Sequence, residues 1–123
     1  MSRGKEGMRI TLGRGFQITF SNGVTISVQF GPNNYCDNRE FGPNITEASF
    51  GEEGCKNAEI AFWDAKGDWI TKEFTRDVLK QEPYDYVLGF VPTDDIAKAI
   101  AWASSLDTTT LVRWVKPVEE EEK

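Results

Sequence analysis

A chain of 123 residues with 39% hydrophobic and 12% aromatic content is the length of one ordinary domain, with bulky apolar groups enough for a core. Its formal charge of -6 excludes the clustered cations of a duplex nucleic-acid binder, which neutralises several phosphates with Lys and Arg. The sequence contains no histidine, which removes the commonest general base, the His-dependent nucleophile systems and the commonest zinc ligand.

Residues 1–10, MSRGKEGMRI, carry charge but no apolar h-region, and no run approaches the ~20 apolar residues that cross a bilayer. The expectation is a soluble protein of the cytoplasm, without a membrane partner. Cys36 and Cys55 are then expected as free thiols, and the Asn44-Ile45-Thr46 sequon as unmodified. Residues 8–12, MRITL, read as a short strand ended by Gly13 and Gly15. Gly13-Arg14-Gly15 has the start of a phosphate-cradling loop, but strand-like FQITF follows it instead of a helix. Arg14 is therefore a candidate only as a cation beside flexible backbone. FQITF, residues 16–20, and VTISVQF, residues 24–30, alternate apolar with polar around Ser21-Asn22-Gly23. Asn-Gly predicts a hairpin with a type I′ turn. Phe16, Ile18 and Phe20 then share a face with Val24, Ile26, Val28 and Phe30. Thr19, Thr25, Ser27 and Gln29 point the other way, to solvent or to the floor of a shallow polar site.

The next stretch, GPNNYCDNREFGPN at residues 31–44, is polar. Phe30-Gly31-Pro32-Asn33 recurs as Phe41-Gly42-Pro43-Asn44, the same turn chemistry used twice, so both ends of the loop are expected to be pinned by Phe30 and Phe41. Asn33, Asn34, Tyr35, Asp37, Asn38 and Arg39 stand between them. Amide forks that read polar edges and a guanidinium that grips phosphate or carboxylate suit a small polar ligand. The plainer reading is that Asn and Asp form Asx-turns and Arg39 bridges Asp37 or Glu40.

AEIAFW at 58–63, a turn over Asp64-Ala65-Lys66-Gly67, and DWITKEF at 68–74 predict a second hairpin. Trp63 and Trp69 flank its turn and are the tryptophans expected to be partly exposed, where they can stack on a planar ring; about three of the four tryptophans are otherwise core. Asp64 and Asp68 bracket the turn without the spacing of a calcium loop; turn-forming roles account for them. YVLGF at 86–90 reads as a buried strand. Thr93 is the expected N-cap of one helix, with Asp94 and Asp95 in its first turn and Ile96, Ala99, Ile100, Ala103 and Leu106 as its apolar stripe. Trp102 lies beside the stripe. TTLVRWV at 109–115 predicts a last strand, and Glu119 to Glu122 an acidic disordered tail.

The sum is an α+β fold, an antiparallel sheet or half-barrel with one helix packed on it in the C-terminal half, over a single domain at residues 1–117 and a tail at 118–123. A helix-decorated β-barrel has the same periodicity. The stretch RGFQITFSNGVTISVQFGPNNYCDNR resembles small phage and prophage proteins of unassigned function, and AEIAFWDAKGDWI and VLGFVPTDDIAKAIAWAS are similar to the rest of such chains. That resemblance implies an accessory protein that binds a host component inside the bacterial cell; some such groups sequester nucleotide signals of bacterial immunity. The expectation is a non-enzymatic binding protein for a small polar or nucleotide-derived ligand, with no catalytic residue, cofactor or metal, and with a homodimer as the arrangement that could hold the ligand between two chains. The ligand residues are Arg14, Asn33, Asn34, Tyr35, Asp37, Asn38, Arg39, Trp63 and Trp69. The alternative is an acidic module that inhibits a host protein by occlusion.

Overall fold

Alternation of apolar with polar side chains builds strands β1 (Gly7–Ile10), β2 (Gly15–Thr19) and β3 (Thr25–Gln29). They continue through β4 (Asn57–Trp63) and β5 (Leu88–Pro92) into one sheet of order β1-β2-β3-β4-β5. All neighbouring pairs are antiparallel. The computed structural model describes residues 5–11, 14–40 and 55–117, with the side chains of 39 and 40 excepted. Phe41, the sequon at Asn44 and the acidic tail lie outside the described residues. The architecture is α+β, and the described α-helices number two: α1 (Thr71–Asp77) and α2 (Thr93–Ser105), with a 3₁₀ turn over Asp37–Glu40 in the polar loop. Among the described residues no helix is long and apolar enough to cross a membrane.

The register sets Phe16 opposite Val28 and Ile18 opposite Ile26, and β4 continues the row with Phe62 beside Ile26 and Ile60 beside Val28. These side chains form the apolar face, as the alternation requires. The opposite face departs from expectation. Thr19, Thr25 and Ser27 are buried instead of solvated. Thr19 and Thr25 share a hydroxyl hydrogen bond of 2.7 Å, and the Arg9 guanidinium donates to Thr19 Oγ1 at 3.3 Å. Polar groups withdrawn from water need such partners.

The β2–β3 connection also differs from a type I′ turn. Gly23 N–H donates to Phe20 O and Phe20 N–H to Val24 O, with positive φ at Gly23 (87°) but not at Asn22. That is the longer hairpin loop, a type I turn followed by a left-handed residue. It leaves the Asn22 side chain available: Oδ1 accepts Val24 N–H, while Nδ2 donates to Ala103 O at 2.8 Å and Leu106 O at 2.9 Å. Asn22 thereby satisfies carbonyls at the C-terminal end of α2, which have no partner within the helix.

Helix α2 lies on the apolar face. Ala99 and Ala103 are fully buried, and their small side chains let the helix backbone approach the sheet. Trp102 packs edge-on against Phe62 at 5.1 Å. Asp94 and Asp95 occupy the first turn, but Thr93 is the first helical residue and not the cap, because Pro92 holds the extended cap position.

Two expected strands are absent. DWITKEF makes only a bridge of Trp69 to Trp63 before turning into α1. The reason is the four-residue spacing of Ile70 and Phe74, both fully buried, which matches a helical period. Thr71 takes over the strand's hydrogen bonding by accepting Phe62 N–H on its hydroxyl at 3.0 Å. TTLVRWV crosses the surface without pairing to a strand. The apolar run at 86–90 is realised two residues later as β5, with a bulge opposite Ala58 to Ile60.

Replacing Asn22 by Ala removes all three of its bonds, each worth about 0.5–1.5 kcal/mol net. We expect a loss of about 2 kcal/mol in urea unfolding with an unchanged slope; a loss below about 0.5 kcal/mol would contradict the role assigned to it.

Candidate functional site

The polar loop is held by its own amides. Asn34 accepts Gly31 N–H on Oδ1 and donates from Nδ2 to Glu59 Oε1 at 3.1 Å; Tyr35 N–H reaches the same carboxylate oxygen at 3.2 Å. Asn38 Nδ2 donates to Phe30 O at 2.7 Å, and Asp37 N–H to Asn57 Oδ1 at 2.8 Å. Phe30 is 36% exposed, so hydrogen bonds to β4, not an aromatic anchor, fix this end of the loop. Asn33 and Asp37 face solvent, as does Arg14, whose stem packs against Gly31. The Arg39 side chain lies outside the described residues.

Cys36 sits beneath the loop, almost fully buried, with its thiol toward Gly31 O. Burial pushes this thiol up to about 11, and Cys55 beside it adds to the rise. Both cysteines are free thiols.

The aromatic groups converge elsewhere. Asp64, 4% exposed, closes the turn after β4 by accepting the N–H groups of Lys66 and Asp68 on Oδ1, each at 2.9 Å. The turn brings Trp63 and Trp69 together at 5.5 Å between ring centroids, and Tyr86 stands 6.0 Å from Trp69. Oδ2 of Asp64 accepts from Arg113 Nη2 at 2.6 Å. From α1, Arg76 donates to Val112 O at 2.6 Å and Glu73 accepts Trp114 N–H at 2.8 Å. Three successive residues of the expected last strand are thus tied by charged side chains, which replace the ladder it lacks. The tie sets Trp114 across from Tyr86, with Lys72 between them: its ammonium lies 4.4 Å from the Tyr86 centroid and 4.7 Å from that of Trp114.

The result is a cleft of about 350 Å³ lined by Trp69, Tyr86, Trp114, Lys72, Arg113 and the carboxylates of Asp68 and Glu73. Trp69 is 46% exposed, a stacking surface with two cations at its side. Arg113 commits only Nη2 to Asp64; its remaining donors make no hydrogen bond among the described residues. Of the residues read from sequence as ligand candidates, Trp69 lines this cleft and Trp63 packs behind it. Tyr35 lines a separate cavity, and Arg14, Asn33, Asn34, Asp37 and Asn38 are not part of the cleft wall. Lys72 and Arg113 lay inside presumed strands and carried no motif; their only advance signal was a cation within a few residues of a tryptophan. Among the described residues no group of three Cys, Asp or Glu is placed to hold a metal.

Burial disfavours the Asp64 anion, but Arg113 and the N–H groups of Asp68 and Lys66 outweigh it and hold its carboxyl below the ordinary 3.8. The folded value is depressed, so this stabilisation is complete above 3.8 and is lost as pH falls through the lower folded value. Asp64→Asn should unfold more easily at neutral pH, by about 1–3 kcal/mol, and should lose less stability than the parent chain between about pH 4 and pH 2. Parallel acid-denaturation curves for the two proteins would contradict this. Cys36 should resist iodoacetamide at pH 8 in the native protein, because only about one thiol in a thousand is ionised there, and should react on unfolding; rapid native labelling of Cys36 would count against its burial.

No family model, curated protein or solved structure matches the chain, so the chemistry of the cleft is what bears on function.

Proposed function

We propose that the protein is a non-enzymatic binding protein, an accessory protein of phage type that sequesters a small planar anion of the nucleotide class in the Trp69 cleft. The observation that carries this reading is Lys72: an ammonium that, among the described residues, is held by two ring faces alone, beside an exposed tryptophan and the Arg113 donors that make no hydrogen bond among those residues. A ring contact of this kind is worth about 0.5–1 kcal/mol at an exposed site. A charge-assisted hydrogen bond to phosphate is stronger, so the ammonium swings to an arriving anion at small cost. Trp69 then stacks on the base, Arg113 faces the phosphate with its remaining donors, and Asp68 offers an acceptor to a ring amine or ribose hydroxyl. Sequestration needs binding alone, so the reading assigns no catalytic group. Asn34 fixes the loop to Glu59 of β4, and Asn38 ties it to Phe30 at the end of β3.

A second reading, occlusion of a host protein, is favoured by one feature. Met8 and Ile10 are 80% and 82% exposed on β1, the edge strand among the described residues, which offers an apolar row and a strand edge to a partner.

Titration of tryptophan fluorescence with mononucleotides and cyclic dinucleotides tests the first reading. At least one should bind, with Trp69→Ala weakening it by about tenfold or more, the scale of one lost stack, and Lys72→Ala making it less salt-dependent. If no nucleotide binds at about 100 μM protein, a concentration that detects weak complexes, the reading fails.

A further inference from the structure

The Trp69 cleft shares part of its wall with a second cavity. That cavity encloses about 440 Å³, and its lining includes Lys72, Trp114, Lys116 and Glu82. Lys72 and Trp114 belong to both walls. Resting on the nucleotide reading of the cleft, we infer that the bound anion is a nucleoside polyphosphate, with its base on Trp69 and its phosphate chain passing Lys72 to end at Lys116.

Charge sets the direction of the chain. In the cleft two cations, Lys72 and Arg113, face two carboxylates, Asp68 and Glu73. Arg113 already pairs with Asp64 at 2.6 Å, and Glu73 is fixed in place by the Trp114 N–H at 2.8 Å. One phosphate engages the donors that remain there, and a second would meet carboxylates. In the adjoining cavity two ammonium groups, Lys72 and Lys116, face the single carboxylate of Glu82 among the described residues. This is a local excess of positive charge on a chain whose formal charge is -6. A multiply charged phosphate chain is drawn toward such an excess.

Lys72 connects the two halves. Its ammonium lies 4.7 Å from the centroid of the Trp114 ring, and that ring is wall to both cavities, so the cation stands where they adjoin. Lys116 follows Trp114 by two residues, on the segment that Asp64 and Glu73 hold through Arg113 and Trp114. It is exposed, and none of the ion pairs among the described residues includes it. Size agrees with charge. The cleft's 350 Å³ stands at the lower end of the ~300–1,000 Å³ that small-molecule sites enclose, and the adjoining cavity is where a longer anion finds room.

The test is calorimetric titration of the full chain with the adenine and guanine mono-, di- and triphosphates and with inorganic tripolyphosphate, at one ionic strength and without divalent cations. For the base that binds, affinity should rise about threefold with each added phosphate, the scale of one exposed charge pair. Lys116→Ala should flatten that rise and Lys116→Arg should keep it. Glu82→Gln should steepen it, because the cavity loses its opposing charge. In NMR spectra the Lys116 amide should shift with the triphosphate and stay in place with the monophosphate. Tripolyphosphate, which has no base to stack, should bind about tenfold or more weakly than the nucleoside triphosphate. Equal affinity for mono-, di- and triphosphate, with binding still weakened by Trp69→Ala, would overturn the inference and leave the nucleotide reading intact. A rise that survives Lys116→Ala, or tripolyphosphate bound as tightly as the nucleoside triphosphate, would also overturn it. If none of these nucleotides binds, the inference falls, and the cyclic dinucleotides decide the nucleotide reading separately.

Discussion

The aromatic cleft depends on one buried carboxylate used in two directions. Asp64 accepts two backbone N–H groups on one oxygen, which fixes the turn that folds Trp69 against Trp63, and it accepts the Arg113 guanidinium on the other. The first function is local and the second joins residues far apart in sequence. A carboxylate this buried is costly unless all its lone pairs find donors. Here the turn supplies part of that compensation and the C-terminal segment supplies the rest. Removing either would leave the other donor set facing a poorly compensated charge.

The C-terminal segment follows from the same logic. Residues 111–117 lack regular structure, yet Val112, Arg113 and Trp114 are each bonded by a charged side chain of the turn or of α1. Such bonds are directional, so they fix the orientation of Trp114 in a way that apolar packing alone would not. At the same end of the sheet, Asn22 performs the corresponding service for α2, joining the first hairpin to the last turn of the helix. The apolar core of Ile26, Ile60, Phe62, Phe74 and Ala103 supplies most of the driving force; these few polar ties decide which surfaces meet.

The first hairpin was legible in the sequence because period-two alternation and Asn-Gly act within a few residues. Helix α2 was legible for the same reason. What escaped a sequence reading was set by tertiary partners. DWITKEF alternates well enough to pass for a strand until Thr71 is seen to bond Phe62 and Ile70 and Phe74 to point into one core. TTLVRWV has strand composition, but its backbone groups go to Arg76 and Glu73, which no local pattern announces. Trp63 and Trp69 were identifiable as a pair flanking a turn. Lys72, Arg113 and Trp114 were not legible as their neighbours, because they arrive from a helix and from a segment more than thirty residues away. The loop at 31–40 was recognisable as ordered and polar. Asn34 turned inward because Glu59 of β4 offered it an acceptor, and Asn57 of β4 took the Asp37 backbone N–H.

The central claim is that the Arg113 tie to Asp64 holds Trp114 in place and so sets Lys72 between two rings. Ring currents make this directly measurable, since methylene protons lying over aromatic faces resonate well upfield of their random-coil positions. In the native protein the Lys72 side-chain protons nearest the ammonium should be shifted upfield, and in Arg113→Ala, with the sheet amide spectrum preserved, they should return toward random-coil values. If those protons were unshifted in the native chain, or kept their upfield positions in the folded variant, the cleft would not be assembled by this carboxylate.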